Sequence, residues 1–102
     1  MKDREGKLLL AISFLTEEYV APTGKLLSNL VNLSEGAVSV TLQDLEKNDL
    51  IVREDERPKP NYLTEEGEKA LNDWTDSKRG STLSKQYLRT FEKRLKDFLE
   101  KT

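Results

Sequence analysis

Apolar residues recur at Leu8, Ile12, Leu15 and Tyr19, with spacings of four, three and four, which is one face of a helix. Leu9, Leu10 and Phe14 widen that face, so the pattern predicts a helix over residues 7–19 that is covered on more than one side. Ala21-Pro22-Thr23 stops it, and the Thr23 hydroxyl can cap the next helix. That helix, about 24 to 31, is short and carries Leu26, Leu27 and Leu30. Asn32 then sits where the chain must turn sharply, and Asn tolerates the left-handed conformation that ends helices. Ser34 is a good cap for a third helix, 34–47, whose buried stripe is Val38, Leu42 and Leu45. It ends at Asn48-Asp49, two more residues that accept a left-handed backbone.

Leu50-Ile51-Val52 is a short β-favouring run and Asn61-Tyr62-Leu63 reads as its return strand. Between them Asp55 to Pro60 is polar, with prolines at 58 and 60, so the pair makes a hairpin with a charged tip. Thr64 caps a fourth helix whose first turn holds Glu65 and Glu66, where the helix dipole favours acids, and whose apolar face is Ala70, Leu71 and Trp74. The composition of residues 77–83 predicts a linker, which divides the chain into a domain over 1–76 and a helix over 84–102. On that helix Leu88, Phe91, Leu95 and Phe98 follow at three, four and three, the repeat of a coiled-coil seam, and Tyr87 and Leu99 broaden it. A lone amphipathic helix of this length is marginal in water, so its face needs a partner. The expectation is the same helix in a second copy, giving a homodimer. The alternative is packing back on its own domain, for instance on the first helix. Glu92 with Lys96 and Asp97 with Lys101 are expected to pair along it, leaving Arg89, Lys93 and Arg94 without an obvious local partner.

The chain has 102 residues, of which 35% are hydrophobic and 35% charged, a lean core under a heavily solvated surface. With no Cys and no His there is no disulfide, no thiolate metal site and no histidine base, and no Gly-rich phosphate loop or metal-spaced carboxylate cluster is present. Neither an enzyme nor a cofactor is expected. No apolar run approaches the roughly 20 residues that span a bilayer. The start MKDREGKLLLAISF reads as helix, not as a signal peptide, so a cytoplasmic protein is expected. The net charge of −2 is unevenly spread: residues 1–76 hold 9 Lys+Arg and 16 Asp+Glu, and residues 77–102 hold 8 and 3. The first part is therefore −7 and the tail +5, as if the two had different jobs.

The order helix, helix, turn, helix, strand, charged loop, strand, helix resembles the winged helix-turn-helix fold over residues 7 to about 75, a mainly α (α+β) architecture. The residues that carry the likeness are Leu27-Ser28 on the first motif helix, Leu33-Ser34 opening the next, and Val38-Ser39, Leu42 and Leu45-Glu46 in the pattern "VS..L..LE". Leu50-Ile51-Val52-Arg53 is similar to the "GLV.R" wing strand, and Leu63-Thr64-Glu65-Glu66-Gly67 to the "LT.EG" element that closes the wing. The chain thus resembles MarR and PadR-like transcriptional regulators and the archaeal Lrs14-like group. It departs from them at Asn32 and Asp49, where glycine is usual, and at Val40, where a basic residue is often found. The resemblance implies double-stranded DNA as partner, with helix 34–47 in the major groove and the wing, 53–62, on the minor groove or its phosphates.

That helix holds one basic residue, Lys47, against Glu35, Asp44 and Glu46, which is a poor charge for a phosphate-lined groove. At about 100° per residue, however, the side opposite the buried stripe is Gly36, Val40, Gln43 and Lys47, flanked by Ser39, and is nearly neutral. Gly36 allows close backbone approach, Val40 suits a thymine methyl, and Gln43 can pair with adenine in two-point fashion. Ser34, Ser39, Thr41 and Thr23 are expected at phosphates, with Lys25, Lys47, Arg53, Arg57 and Lys59 supplying charge. The acidity of residues 1–76 favours a competing reading, a winged-helix module that binds another protein and not DNA.

Overall fold

The computed structural model describes residues 1–54 and 60–101, with the backbone only at 78 and 79. Its elements run α1 (Asp3–Glu17), α2 (Gly24–Val31), α3 (Glu35–Lys47), β1 (Ile51–Arg53), β2 (Asn61–Leu63), α4 (Glu65–Asp76) and α5 (Lys78–Glu100). The two strands are antiparallel, with Ile51 opposite Leu63, Val52 opposite Tyr62 and Arg53 opposite Asn61. Helices α1 to α3, the hairpin and α4 form a winged helix, as the order of elements predicts. Residues 55–57 and Pro58-Lys59, the expected wing tip, lie outside the described residues.

Three expected caps are in place: the Thr23, Ser34 and Thr64 hydroxyls accept from the amides of Leu26, Ala37 and Gly67. Each meets an amide that its helix leaves without a partner. The endings of α1, α2 and α3 also share one solution. Tyr19, Asn32 and Asp49 take left-handed φ values of 59°, 56° and 60°. The next residue, Val20, Leu33 or Leu50, then donates its amide back to Leu15, Ser28 or Leu45 and rests its side chain against the core. This six-to-one closure satisfies an orphan carbonyl and turns the chain sharply. Asn32 and Asp49 behave as their chemistry predicts. Tyr19 does not: it was expected on the apolar face of the first helix, yet α1 stops at Glu17 and Tyr19 is 98% exposed. It occupies the turn so that Val20 can point inward.

The largest departure from expectation is at the tail. Residues 78–83, expected as a linker, are the first turns of α5, and Ser77 alone separates it from α4. Ser77 caps α5 by accepting from the Gly80 amide, and its hydroxyl donates to the Trp74 carbonyl. At Gly80 a Cβ would land on that same carbonyl, so a glycine is needed for the two helices to turn this closely. The composition that suggested a flexible segment is the chemistry of a tight helical corner.

Helix α5 accordingly folds back on its own domain, against α1, α2 and α4. Of the residues expected in an intermolecular seam, Phe91 and Leu95 are buried in this core, and Tyr87, Leu88 and Phe98 pack partly against it. Only Leu99, at 54%, stays largely exposed. Aromatic rings link the helices in series. Trp74 stacks near-parallel on Tyr87 at 6.4 Å, Tyr87 on Phe91 at 6.2 Å, and Phe91 meets Phe14 at 6.3 Å. Lys7 lies 4.8 Å from the centre of the Tyr87 ring, a cation over a π face. Arg94 has a long-range partner, donating through Nη1 to the Leu30 carbonyl at 2.7 Å.

Because Phe91 fills the core of a single chain, Phe91→Ala should destabilise the fold by about 3–5 kcal/mol. Urea unfolding should show this loss at every protein concentration. A loss that grows on dilution would instead place Phe91 between two chains.

Candidate nucleic-acid interface

Helix α3 buries Val38, Thr41, Leu42 and Leu45 and turns its other side to solvent. Gly36, Val40, Gln43 and Lys47 are all exposed on that side, Val40 at 58%. A Cβ added at Gly36 would meet nothing within 4 Å. Ser39 is half-buried at one edge of the strip. The three acids are exposed too, but Asp44 lies about 80° round the helix on one flank and Glu46 and Glu35 a similar angle or more on the other. The central strip thus presents a small residue, a branched apolar one, an amide and one ammonium group.

Thr41 does not join it. The side chain is 4% exposed and its hydroxyl donates to the Ala37 carbonyl at 2.9 Å, one turn back. Position 41 lies about 40° beyond Leu45, at the margin of the buried stripe, and a threonine is tolerated there because it can bond its own helix. It is therefore unavailable to a phosphate, contrary to expectation. Thr23 is half-buried and Ser34 exposed, and both hydroxyls accept a helix amide while keeping a proton to donate. Lys25 is exposed on the first turn of α2. Of the expected wing residues, Arg53 is described, whereas Arg57 and Lys59 fall among the residues left undescribed.

The residue that sequence reasoning passed over is Asn61. It is 1% exposed, and its amide group is used on both sides. The Nδ2 donates to the Pro22 carbonyl at 3.1 Å, while Oδ1 accepts from Arg53 Nε at 3.1 Å. Its backbone amide donates to the same Pro22 oxygen at 3.0 Å. One buried side chain thus ties the root of the wing to the turn before α2 and aims the Arg53 guanidinium. The element after it is built as tightly. Thr64 donates its hydroxyl to the Asp49 carbonyl and its amide to that of Leu50, and at Gly67 a Cβ would strike the Leu50 carbonyl. The "LT.EG" pattern is thereby a packing requirement where α4 crosses the start of the wing.

Among the described residues no group of three or more His, Cys, Asp or Glu could hold a metal ion. Among the described residues no helix is long and apolar enough to cross a membrane.

Asn61→Ala leaves the Pro22 carbonyl and the Arg53 guanidinium one partner short, and should cost about 1–3 kcal/mol. Asn61→Asp keeps the acceptor for Arg53 but loses the donor to Pro22. Thermal unfolding of both variants should show a loss, and stability equal to the parent in either would mean the hub is not formed.

No family model and no curated protein matches the sequence. Solved structures do share its architecture. A mutant MepR from a multidrug-resistant clinical isolate of S. aureus is 22% identical, with a TM-score of 0.69 over 99% of this chain and 78% of the other. A MarR-family regulator from Rhodococcus sp. RHA1 is 18% identical, with a TM-score of 0.61 over 98% and 73%. A MarR-family protein from Bacillus stearothermophilus is 21% identical, with a TM-score of 0.60 over 99% and 74%. The chain has the winged-helix fold of MarR-family transcriptional regulators.

Proposed function

We propose that this chain is a cytoplasmic, sequence-specific regulator of transcription that binds double-stranded DNA as a dimer. Helix α3 enters the major groove and the wing lies against the flanking backbone. The observation that carries this reading is the exposed strip Gly36, Val40, Gln43 and Lys47, from which the acids of α3 are turned aside. Gly36 lets the helix approach closely, Val40 meets a thymine methyl, and Gln43 offers the donor and acceptor that match adenine N7 and N6. Ser34, Ser39 and Thr23 donate to phosphates with Lys25 and Lys47, and these contacts fix register without reading sequence. Arg53, held by Asn61 at the wing root, is a preset cation for the backbone or the minor groove. Arg57 and Lys59 extend the wing's charge.

A dimer would double these contacts on half-sites about one helical turn apart. With Phe91 and Leu95 engaged at home, the C-terminal helix keeps one edge for a second copy. Leu99 is exposed there beside a groove of about 360 Å³ lined by Phe14, Glu18, Glu92, Leu95 and Lys96. Two chains meeting along this edge would cover Leu99 without opening either core.

Gln43→Ala should cost about 1–3 kcal/mol for the preferred site and relax the choice of base at one position. Anisotropy titration and selection from random duplexes measure the two effects, and unchanged selectivity would exclude Gln43 from readout. If the parent chain is not retained on duplex DNA even near ~50 mM salt, the protein-binding module becomes the better description. Leu99→Glu should halve the mass seen by light scattering without lowering stability, and an unchanged dimer would move the interface elsewhere.

A further inference from the structure

The positive charge of this chain is concentrated on a surface that neither the helix-turn-helix nor the wing uses. Residues 77–91 hold Lys78, Arg79, Lys85 and Arg89 and no acid at all, and the first acid of the tail is Glu92. Lys85, Arg89, Lys93 and Lys96 follow at four, four and three, so they fall within about 80° on one side of α5. All four are exposed, directly opposite the side that buries Phe91. Among the described residues none of the four pairs with a carboxylate, and Glu92 does not close on Lys96 as its spacing suggested. Ser81, Thr82 and Gln86 are the exposed polar neighbours, while Glu92 and Asp97 stand at the two edges and Glu100 lies one turn beyond Lys96.

We infer that this stripe is a second duplex contact, one that recognises only the phosphate backbone. The inference rests on the proposed DNA-binding function and supplies what α3 lacks. Non-specific attraction to DNA scales with the number of phosphates neutralised. The reading face of α3 offers one cation, Lys47, on a winged domain of net charge −7. Lys96 also borders the groove beside Leu99, so the stripe offers three cations clear of the proposed dimer edge, Lys85, Arg89 and Lys93, along about 12 Å of straight helix, a length over which duplex DNA carries roughly seven charges. It lies on a different helix from the reading strip. Helix α3 packs on α1, α2 and β1, and α5 on α1, α2 and α4, each with its apolar side inward. Strip and stripe are thus the outer faces of two different helices on a body 36 × 29 × 24 Å. The stripe takes hold of a segment other than the one lying on α3 of the same chain, and so brings two stretches of duplex together. The competing occupant is the acidic outer face of α4 on a second copy, with Glu65, Glu66, Asp73 and Asp76, but that face is interrupted by Lys69.

The test compares three full-length proteins: the parent, a triple variant (Lys85→Gln, Arg89→Gln, Lys93→Gln) and a reading-face variant (Gly36→Glu, Gln43→Glu). All the substituted positions are exposed, and Gly36 has room for a side chain. Affinity for a duplex is measured against salt, and transfer of a second, labelled duplex onto a bead-held one reports bridging. The triple variant should keep its sequence preference and its mass, lose bridging, and show a log K–log salt slope shallower by about 2–3. A parental slope with intact bridging overturns the inference and leaves the proposed function standing. A mass that drops at low salt in the triple variant also overturns it, because the stripe then meets a second copy. Conversely, if the reading-face variant keeps full sequence preference while the triple variant loses binding, α3 is not the reader and the stripe stands. Absence of duplex binding by the parent removes both.

Discussion

The constraint on which this structure depends is that α1 must be covered on every side. Leu8, Leu9, Leu10, Ala11, Ile12, Phe14 and Leu15 are all buried, and seven nearly consecutive apolar residues cannot share one face of a helix. The helix-turn-helix, the strand pair and α4 cover part of that circumference, and α5 closes the rest. With only 35% hydrophobic residues the chain has few to spare, so the apolar stripe of its tail is spent at home. Phe14, Phe91, Tyr87 and Trp74 form the joint. Aromatic side chains bury large areas with few rotatable bonds, and offset or tilted pairs at these separations add attraction beyond area alone. A tail that would otherwise be an appendage thereby becomes part of the core, and of its expected seam Leu99 alone stays largely exposed.

The same geometry sorts the charges. Helices α3 and α5 each have one apolar side committed to the interior, so their polar residues are displayed outward in fixed angular order. On α3 that order sets a neutral strip between two acidic flanks. Under the proposed function, an α3 that is acidic in sum could lie against phosphates, since its exposed strip is set by angle and the acids sit at the flanks, where water still screens them. On α5 the order gathers lysines and arginine into a line. A net charge of −2 for the whole chain conceals both arrangements, because summing charge discards direction.

Much of this was legible in the residues. Caps at Thr23, Ser34 and Thr64 and the turns at Asn32 and Asp49 follow from short polar side chains that bond their own backbone, which is a local property. The failures are of another kind. Tyr19 extended an apolar periodicity by one turn, but periodicity counts side chains and not backbone, and the closure made by Val20 ended the helix earlier. Thr41 was read as polar and hence outward, although its angle on α3 borders the buried stripe and its hydroxyl could bond Ala37. Ser77 to Ser81 have the composition of a linker, and only the close passage of Gly80 over the Trp74 carbonyl distinguishes a corner from a tether. The spacing of Leu88, Phe91, Leu95 and Phe98 reports a face that needs covering and carries no information on which chain covers it. Asn61 was invisible because its partners Pro22 and Arg53 are set by the fold.

Asn61 and Arg94 act on the helix-turn-helix as a pair of clamps. Asn61 bonds twice to the Pro22 carbonyl immediately before α2, and Arg94 bonds to the Leu30 carbonyl near its end. The first comes from the wing and the second from the tail helix, so both ends of this eight-residue helix are fixed by segments distant in sequence. Arg94 also places a cation where the aligned carbonyls of α2 accumulate negative charge, which strengthens that contact. Helix α2 in turn packs on α3 and holds it through the turn at Asn32, where the Ser28 hydroxyl donates to the Leu33 carbonyl. So short a helix would not keep its position unaided. Held at both ends, it sets α3 and the wing root in one rigid relation before any ligand arrives. If the proposed DNA binding holds, the ordering cost falls on folding and not on association.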